Sequence, residues 1–304
     1  MMQFKRVVVL CGGISGEREV SLKSGAAVYN ALKNLYPTEL IELEANELTC
    51  PLDPQEDLIF PMIHGDFGED GQLQHLLEAK GFSYIGCDEQ ASILCIHKMR
   101  SKQLAEQYHL PVLPGISLQV GQALDKKAIE QTLQGTSFVL KPEDKGSSLG
   151  VHLCENFSAL QQAWQGVRAD NWMIERYVHG REITVGMLQG KALGIVEICP
   201  KCGFYDFKNK YTAGACEYLY PAPIDDKITK KLQTVAEQFF KHAHCRDFGR
   251  ADFVLEPNGD FWLLEMNTIP GMTAQSLLPK SASCVGISFE TLLSRLVEGA
   301  QSRF

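Results

Sequence analysis

Long hydrophobic runs are missing from this chain of 304 residues: none approaches the roughly 20 consecutive apolar residues that a membrane-spanning helix needs. Internal repeats and low-complexity tracts are missing too, which disfavours a solenoid, a fibre or a chain with a long flexible linker. Positive charge is in deficit. The 29 lysines and arginines face 37 acids, and the net charge of −8 argues against a nucleic-acid or anionic-membrane partner without being high enough to imply disorder. A basic pair, Lys5-Arg6, does precede an apolar stretch, but that stretch is short and runs into Gly12-Gly13 with no small-residue cleavage site. It is expected to be a first strand rather than a signal peptide, and a cytoplasmic location follows.

Cysteine is plentiful, at ten residues. Disulfide frameworks belong mainly to short secreted chains, so reduced thiols are expected. Cys199 and Cys202 form one C-x-x-C without a second pair. His242, His244 and Cys245 could complete a metal site with them, although thiols and a solvated helix end are the favoured reading.

The chain is long enough for about two to three domains. Phe4 to Cys11 has the apolar, β-branched texture of a buried parallel strand. Helices are predicted at Ser21 to Leu35 and Gln72 to Lys80, the second closed by Gly81, with strands at Leu40 to Leu43 and Leu58 to Ile63. This alternation implies a small doubly wound parallel sheet. One helix is expected over Ala91 to Tyr108. After Pro111 and Pro114 the texture becomes mixed α+β, with strands at Gly115 to Val120, Phe138 to Pro142, Gly150 to Leu153 and Trp172 to Tyr177. In the last third, Glu182 to Leu188 and Ala192 to Ile198 flank a turn, and Asp225 to Ala243 and Phe289 to Gly299 are helical. Pro257-Asn258-Gly259-Asp260 joins Ala251 to Leu255 and Phe261 to Met266 as a hairpin.

That hairpin is the most informative place. Glu265 and Asn267 are two apart on a strand and so face one side, and the turn brings Asp252 across from them. Two carboxylates and an amide oxygen are hard donors suited to Mg²⁺, which takes a few carboxylates plus nucleotide phosphates. Scattered acids on a solvated sheet are the alternative, but Phe253, Leu255, Leu263 and Met266 make the surroundings apolar. A lysine, Lys141, ends a strand and leads into the glycine- and serine-rich loop that closes at Gly150. Such a loop can approach phosphate oxygens with backbone N–H groups, though as a motif it is weak, and no G-x-x-x-x-G-K-[ST] is present. Cys11 to Ser21 is a glycine turn opening a helix, without G-x-G-x-x-G spacing; Glu17 there could face an ammonium or simply complement the helix dipole. His64 to Gly71 is a second glycine-rich turn, where a lone histidine is more often structural.

Taken together, Cys11 to Gly25, His64 to Gly71, Lys141 to Gly150, Gly249-Arg250-Ala251-Asp252-Phe253 and Glu265 to Thr273 resemble the D-alanine–D-alanine ligases of the ATP-grasp superfamily, in order and nearly end to end. The resemblance implies ATP-dependent joining of two D-alanines through a D-alanyl phosphate, for peptidoglycan precursors. It implies an α/β and α+β ATP-grasp fold, divided into a substrate-side unit (1–95), a central ATP-grasp subdomain (96–180) and a C-terminal one with the metal site (181–304). It assigns Lys98, Lys141 and Lys210 to the ATP phosphates, with Ser147, Ser148 and Phe204 also on the nucleotide side. Glu175 and Glu182 go to the adenine amino group and ribose, and Tyr177 and Val178 to the adenine slot. Asp252, Glu265 and Asn267 match the ligands of Mg²⁺ or Mn²⁺, two ions per site. Glu17 faces the ammonium of the first D-alanine, and His64 lies on the substrate side. Arg250 and the Gly271 N–H form the oxyanion site, while Ser276 and Leu277 meet the second carboxylate. Ser147 and Tyr211 bond toward Glu17, and Phe204 to Ala215 would close as a lid. Tyr211 resembles the dipeptide-forming members, where phenylalanine resembles the D-lactate-accepting ones. Tyr177 stands where many relatives have tryptophan. A homodimer through the N-terminal unit is also implied. The rivals are another ATP-grasp carboxylate–amine ligase, a nicotinamide dehydrogenase using Gly12-Gly13, and a nucleotide-binding module without turnover.

Overall fold

The computed structural model describes residues 4–48, 50–147, 150–168, 171–201 and 215–303. Among the described residues, three sheets carry the architecture. The first is parallel, in the order β2-β1-β3-β4, from β1 (Arg6–Gly12), β2 (Thr38–Leu43), β3 (Asp57–Pro61) and the two-residue β4 (Ser83–Tyr84). Alternation along β1 serves two cores at once. Val7 and Val9 pack with Val28 and Leu32 of helix α1 (Arg18–Leu32), and Val8 and Leu10 with Leu73 and Leu77 of α2 (Gln72–Ala79). Gly81, at φ +74°, follows the end of α2 as expected.

Between Glu89 and Gln107 the structure departs from the single predicted helix. Helix α3 (Glu89–Ile96) stops at His97, whose extended backbone (φ −79°, ψ 94°) turns the chain before α4 (Lys98–Gln107) begins. No proline or glycine marks this break in the sequence. The new helix donates its Lys98 N–H to the Glu143 carbonyl at 2.9 Å, so the break aims Lys98 at the site.

The second sheet is antiparallel, β5-β8-β6-β7, from β5 (Gly115–Leu118), β6 (Phe138–Pro142), β7 (His152–Cys154) and β8 (Trp172–Arg176). Phe138, Leu140, Trp172 and Ile174 face α5 (Lys126–Leu133) and α6 (Phe157–Gly166). The alternate residues Val139, Lys141 and Glu175 consequently face the other way, toward the third sheet.

The third sheet runs β11-β10-β9-β12-β13, from β9 (Arg181–Leu188), β10 (Lys191–Pro200), β11 (Cys216–Leu219), β12 (Phe248–Leu255) and β13 (Phe261–Asn267). Ile183, Val185, Ala251, Phe253 and Leu263 bury one face under α7 (Asp226–His242). On the other face lies the short α8 (Leu277–Ser283), which approaches closely because Gly186 and Gly194 have no side chains: a Cβ on Gly194 would sit 2.1 Å from that of Cys284. The last helix, α9 (Phe289–Gln301), returns to the start of the chain, packing Leu292, Leu293 and Leu296 into the core shared with Val28 and Leu32. Among the described residues no helix is long and apolar enough to cross a membrane.

Candidate active site

The third sheet shows why the acidic residues gather. Arg250 and Asp252 alternate with the buried Ala251 and Phe253, so both leave the face opposite α7. On β13, strict alternation would put Glu265 on the apolar face with Leu263. A bulge prevents this: Asp252 pairs with Glu265 and Phe253 with Leu263, leaving Leu264 as the extra residue. Leu263 and Met266 stay in the core while Glu265 and Asn267 join Arg250 and Asp252. The expected juxtaposition of Asp252, Glu265 and Asn267 is present, and the bulge makes it possible.

Two cations lie against this set. Arg250 holds Asp252 bidentately, Nε to Oδ1 at 2.8 Å and Nη2 to Oδ2 at 2.6 Å, and the Thr184 hydroxyl donates to Oδ1 at 2.6 Å. Lys98 Nζ donates to the Lys145 carbonyl at 2.6 Å and lies 3.7 Å from Glu265 Oε2. Burial pushes the Lys98 ammonium down, against the opposing pull of Glu265. Asn267 Oδ1 accepts the Ile269 N–H at 3.0 Å. Among the described residues no group of three His, Cys, Asp or Glu is arranged for a metal, so an ion here would rest on two carboxylates, the Asn267 oxygen and substrate oxygens. That donor chemistry fits Mg²⁺ or Mn²⁺.

A cavity of about 580 Å³ opens in front of this face. Glu17 and His64 line it from the first-sheet unit, and Arg250, Asn267, Gly271, Ser276 and Leu277 line it from strands β12 and β13 and the segment that follows them. Glu17 accepts the Ser147 hydroxyl from across the cavity. Ser147 adopts φ +53°, a left-handed conformation uncommon outside glycine, which turns the loop at that point. His64 is buried in a network: Nδ1 lies 3.3 Å from Glu69 Oε1, and Nε2 3.1 Å from the Ser24 hydroxyl, which also accepts the Met272 N–H at 3.2 Å. One hydroxyl thus ties the first sheet to the Gly271-Met272 loop. Ser276 Oγ accepts the Thr273 N–H at 3.0 Å and shares a hydrogen bond with the Thr273 hydroxyl at 2.9 Å.

Between the second and third sheets lies a narrower cleft of about 210 Å³. Lys141, Glu175, Tyr177, Val178, Glu182 and Leu264 line it. Glu175 is 3 % exposed, with Lys141 on one carboxylate oxygen and Lys102 2.8 Å from the other. Burial alone would raise its pKa, but the two lysines outweigh burial and hold it at about 2. Lys98 and Glu265 line both the cleft and the larger cavity, so the two spaces meet there.

Comparison with known proteins agrees with this geometry. The family model for the D-Ala D-Ala ligase C-terminus matches residues 104–298, and that for the N-terminus residues 44–87. A D-alanine–D-alanine ligase of Trichlorobacter lovleyi is 39% identical over 96% of this chain and 94% of its own. That of Syntrophobacter fumaroxidans is 41% identical over 96% of each. The chain belongs to the D-alanine–D-alanine ligase family. Among solved structures, the Bacillus anthracis D-alanine–D-alanine ligase complexed with ATP superposes with a TM-score of 0.85 at 27% identity, over 98% of both chains. A D-Ala:D-Ser ligase from Enterococcus faecalis gives 0.84 at 26% identity, over 98% of this chain and all of its own. The family's ATP-grasp fold is therefore that of this chain, and the dehydrogenase reading is set aside.

Measured against that family, the structure gathers every described residue that the resemblance singled out. Ser148, Phe204, Lys210 and Tyr211 lie outside the described residues, as do Cys202 and nearly all of the expected lid. Of the alternative metal set, His242 stacks on Tyr108 with ring centroids 3.5 Å apart, and Cys245 Sγ lies 3.6 Å from Cys95 Sγ. Sequence reasoning missed Ser24, Glu69, Lys102 and Thr184. Ser24 and Glu69 sat inside segments already singled out; Lys102 is four residues from Lys98, the one hint that both leave one helix face.

Proposed function

We propose that this chain joins two D-alanines at the expense of ATP, making D-alanyl-D-alanine for cell-wall peptidoglycan. The observation that carries the reading is the shared wall of Lys98 and Glu265: a nucleotide in the narrow cleft would deliver its γ-phosphoryl group into the larger cavity, where the amino acids would lie. In the first step a carboxylate oxygen of one D-alanine takes the γ-phosphoryl group, giving a D-alanyl phosphate and ADP. In the second, the amine of the other D-alanine attacks the activated carbonyl, loses a proton, and inorganic phosphate leaves.

Each step has residues suited to it. Glu17 would hold the ammonium of the first D-alanine, steadied by Ser147, with His64 on the substrate side. Arg250 and the Gly271 N–H would stabilise the oxyanion that forms on attack. Ser276 and Leu277 would meet the second carboxylate. Lys98, Lys141 and Lys210 would hold the phosphates, with Ser147, Ser148 and Phe204 also on the nucleotide side; Glu175, Tyr177, Val178 and Glu182 would hold the nucleoside. Asp252, Glu265 and Asn267 would bind Mg²⁺ or Mn²⁺, two ions by the resemblance, which neutralise charge on the transferring phosphoryl group. Residues 1–95, 96–180 and 181–304 serve as the substrate-side, central and C-terminal units. A cytoplasmic homodimer completes the proposal, supported by the resemblance.

Phosphate release by the purified chain with ATP, Mg²⁺ and D-alanine, against L-alanine, tests this directly. Release that requires D-alanine, with the dipeptide seen by mass spectrometry, is the expected result; ATP binding without release overturns it. Tyr211 supports the dipeptide over the D-lactate ester, and an equal mixture of D-alanine and D-lactate at neutral pH checks that choice.

A further inference from the structure

Lys102 lines neither cavity, yet it is a lysine only 3 % exposed, and lysines are almost never fully buried without a partner. It stands one helical turn after Lys98 on α4, so both side chains leave one face of the helix. Their tips diverge. Lys98 goes to the junction of the cavities, whereas Lys102 donates to the Leu113 carbonyl at 3.0 Å and places its ammonium 2.8 Å from Glu175 Oε2. The other Glu175 oxygen accepts from Lys141. One buried carboxylate is thereby clamped between two ammonium groups. Only Glu175 and Lys141 reach the cleft; Lys102 stands behind them.

We infer that Lys102 is a positioning residue that sets nucleobase choice through Glu175, an inference that rests on reading the narrow cleft as the nucleotide site. An ionised carboxylate only accepts hydrogen bonds. Held from behind, Glu175 can neither swing away from the cleft nor take up a proton and become a donor. The base edge that meets it must therefore donate. The 6-amino group of adenine does so, whereas a 6-oxo purine brings a lone pair against the carboxylate and makes no hydrogen bond to it there. A site built to satisfy one hydrogen bond rejects the analogue lacking it far more strongly than an apolar pocket does. A purely structural ion pair would stabilise the fold but leave base choice untouched.

The test titrates the full chain with ATP and with inosine triphosphate, its 6-oxo counterpart, by calorimetry in the presence of Mg²⁺. Wild type should prefer ATP by roughly 30-fold or more, and Lys102→Met should lower that preference about tenfold by weakening ATP. In steady state, KM for ATP should rise about tenfold while kcat at saturating ATP stays within about twofold. Lys102→Arg should recover part of the preference. In a Glu175→Gln background the Lys102 change should add less than about twofold, because its effect passes through Glu175. Should Lys102→Met fail to fold, Lys102→Gln reads the same quantities. An unchanged ATP-to-inosine-triphosphate ratio in the variant, or an equal loss in the Glu175→Gln background, overturns the inference, as does a wild type that binds both nucleotides alike. A wild type that prefers ATP yet makes no dipeptide sinks the ligase reading alone.

Discussion

Replacing Arg250 by methionine should make the fold depend on the divalent ion. Arg250 is 5 % exposed and gives two hydrogen bonds to Asp252. Removing one member of a buried pair costs about 3–5 kcal/mol because the other charge loses its partner. The Asp252 side chain is 19 % exposed and keeps the Thr184 hydroxyl, so the low end, about 3 kcal/mol, applies. For a chain of this size that is a fall in Tm of roughly 6 °C, at about 2 °C per kcal/mol. The same change removes a positive charge beside the oxygens proposed to hold Mg²⁺. At an effective dielectric constant of about 20, two unit charges 4 Å apart interact by about 4 kcal/mol, so even a well-screened share of that repulsion is measurable. Arg250→Met should therefore bind Mn²⁺ more tightly than wild type, by about tenfold in spin-resonance titration, and millimolar Mg²⁺ should restore part of its lost Tm. Turnover should nevertheless fall by about 10²–10³, the usual effect of deleting an oxyanion donor, the role proposed for Arg250. A variant that melts like wild type, with unaltered Mn²⁺ affinity, would refute the argument that Arg250 and the ion share Asp252.

Three further outcomes follow from the geometry. Glu175 sits at about 2 against an ordinary 4.5, so its charge stabilises the fold fully above pH 4.5, and that stabilisation is lost as pH falls from 4.5 toward 2. The full amount is about 3 kcal/mol, and acid melts of wild type should be steeper across that window than those of Glu175→Gln. Gly194→Val would drive side-chain atoms into Cys284 beneath α8 and should cost at least the 1–3 kcal/mol of ordinary overpacking, read as a lowered urea midpoint. Glu17→Gln removes the charge facing the expected ammonium but keeps an acceptor for Ser147; KM for D-alanine should rise by roughly tenfold while ATP affinity stays unchanged.

Much of the fold was legible where local chemistry dictates it. Pro257 to Asp260 announced the β12–β13 hairpin, and spacing alone put Glu265 and Asn267 on one face. What escaped depends on contacts distant in sequence. The break at His97 carries no breaker residue, so α3 and α4 looked continuous. Strand β4 is two residues long, too short for periodicity to show, and β11 is defined by its pairing with β10 at the sheet edge. The β13 bulge is set by packing, since Leu263 and Met266 both seek the α7 core. A helical lysine such as Lys102 usually belongs to a solvated face, and only the buried Glu175 of β8 gives it a different meaning. The bidentate grip of Arg250 on Asp252 joins two groups that the sequence assigned to separate tasks.

The wall of Lys98 and Glu265 also bears on inhibition. A compound that leans on these two side chains, from either space, engages groups that line the other space as well. With the nucleotide and amino-acid sides as proposed, a resistance substitution at Lys98 or Glu265 that expels a nucleotide mimic would disturb the amino-acid side in the same stroke. A two-headed molecule threaded past them, with a purine-like end and a carboxylate end, would leave escape variants the fewest positions to change.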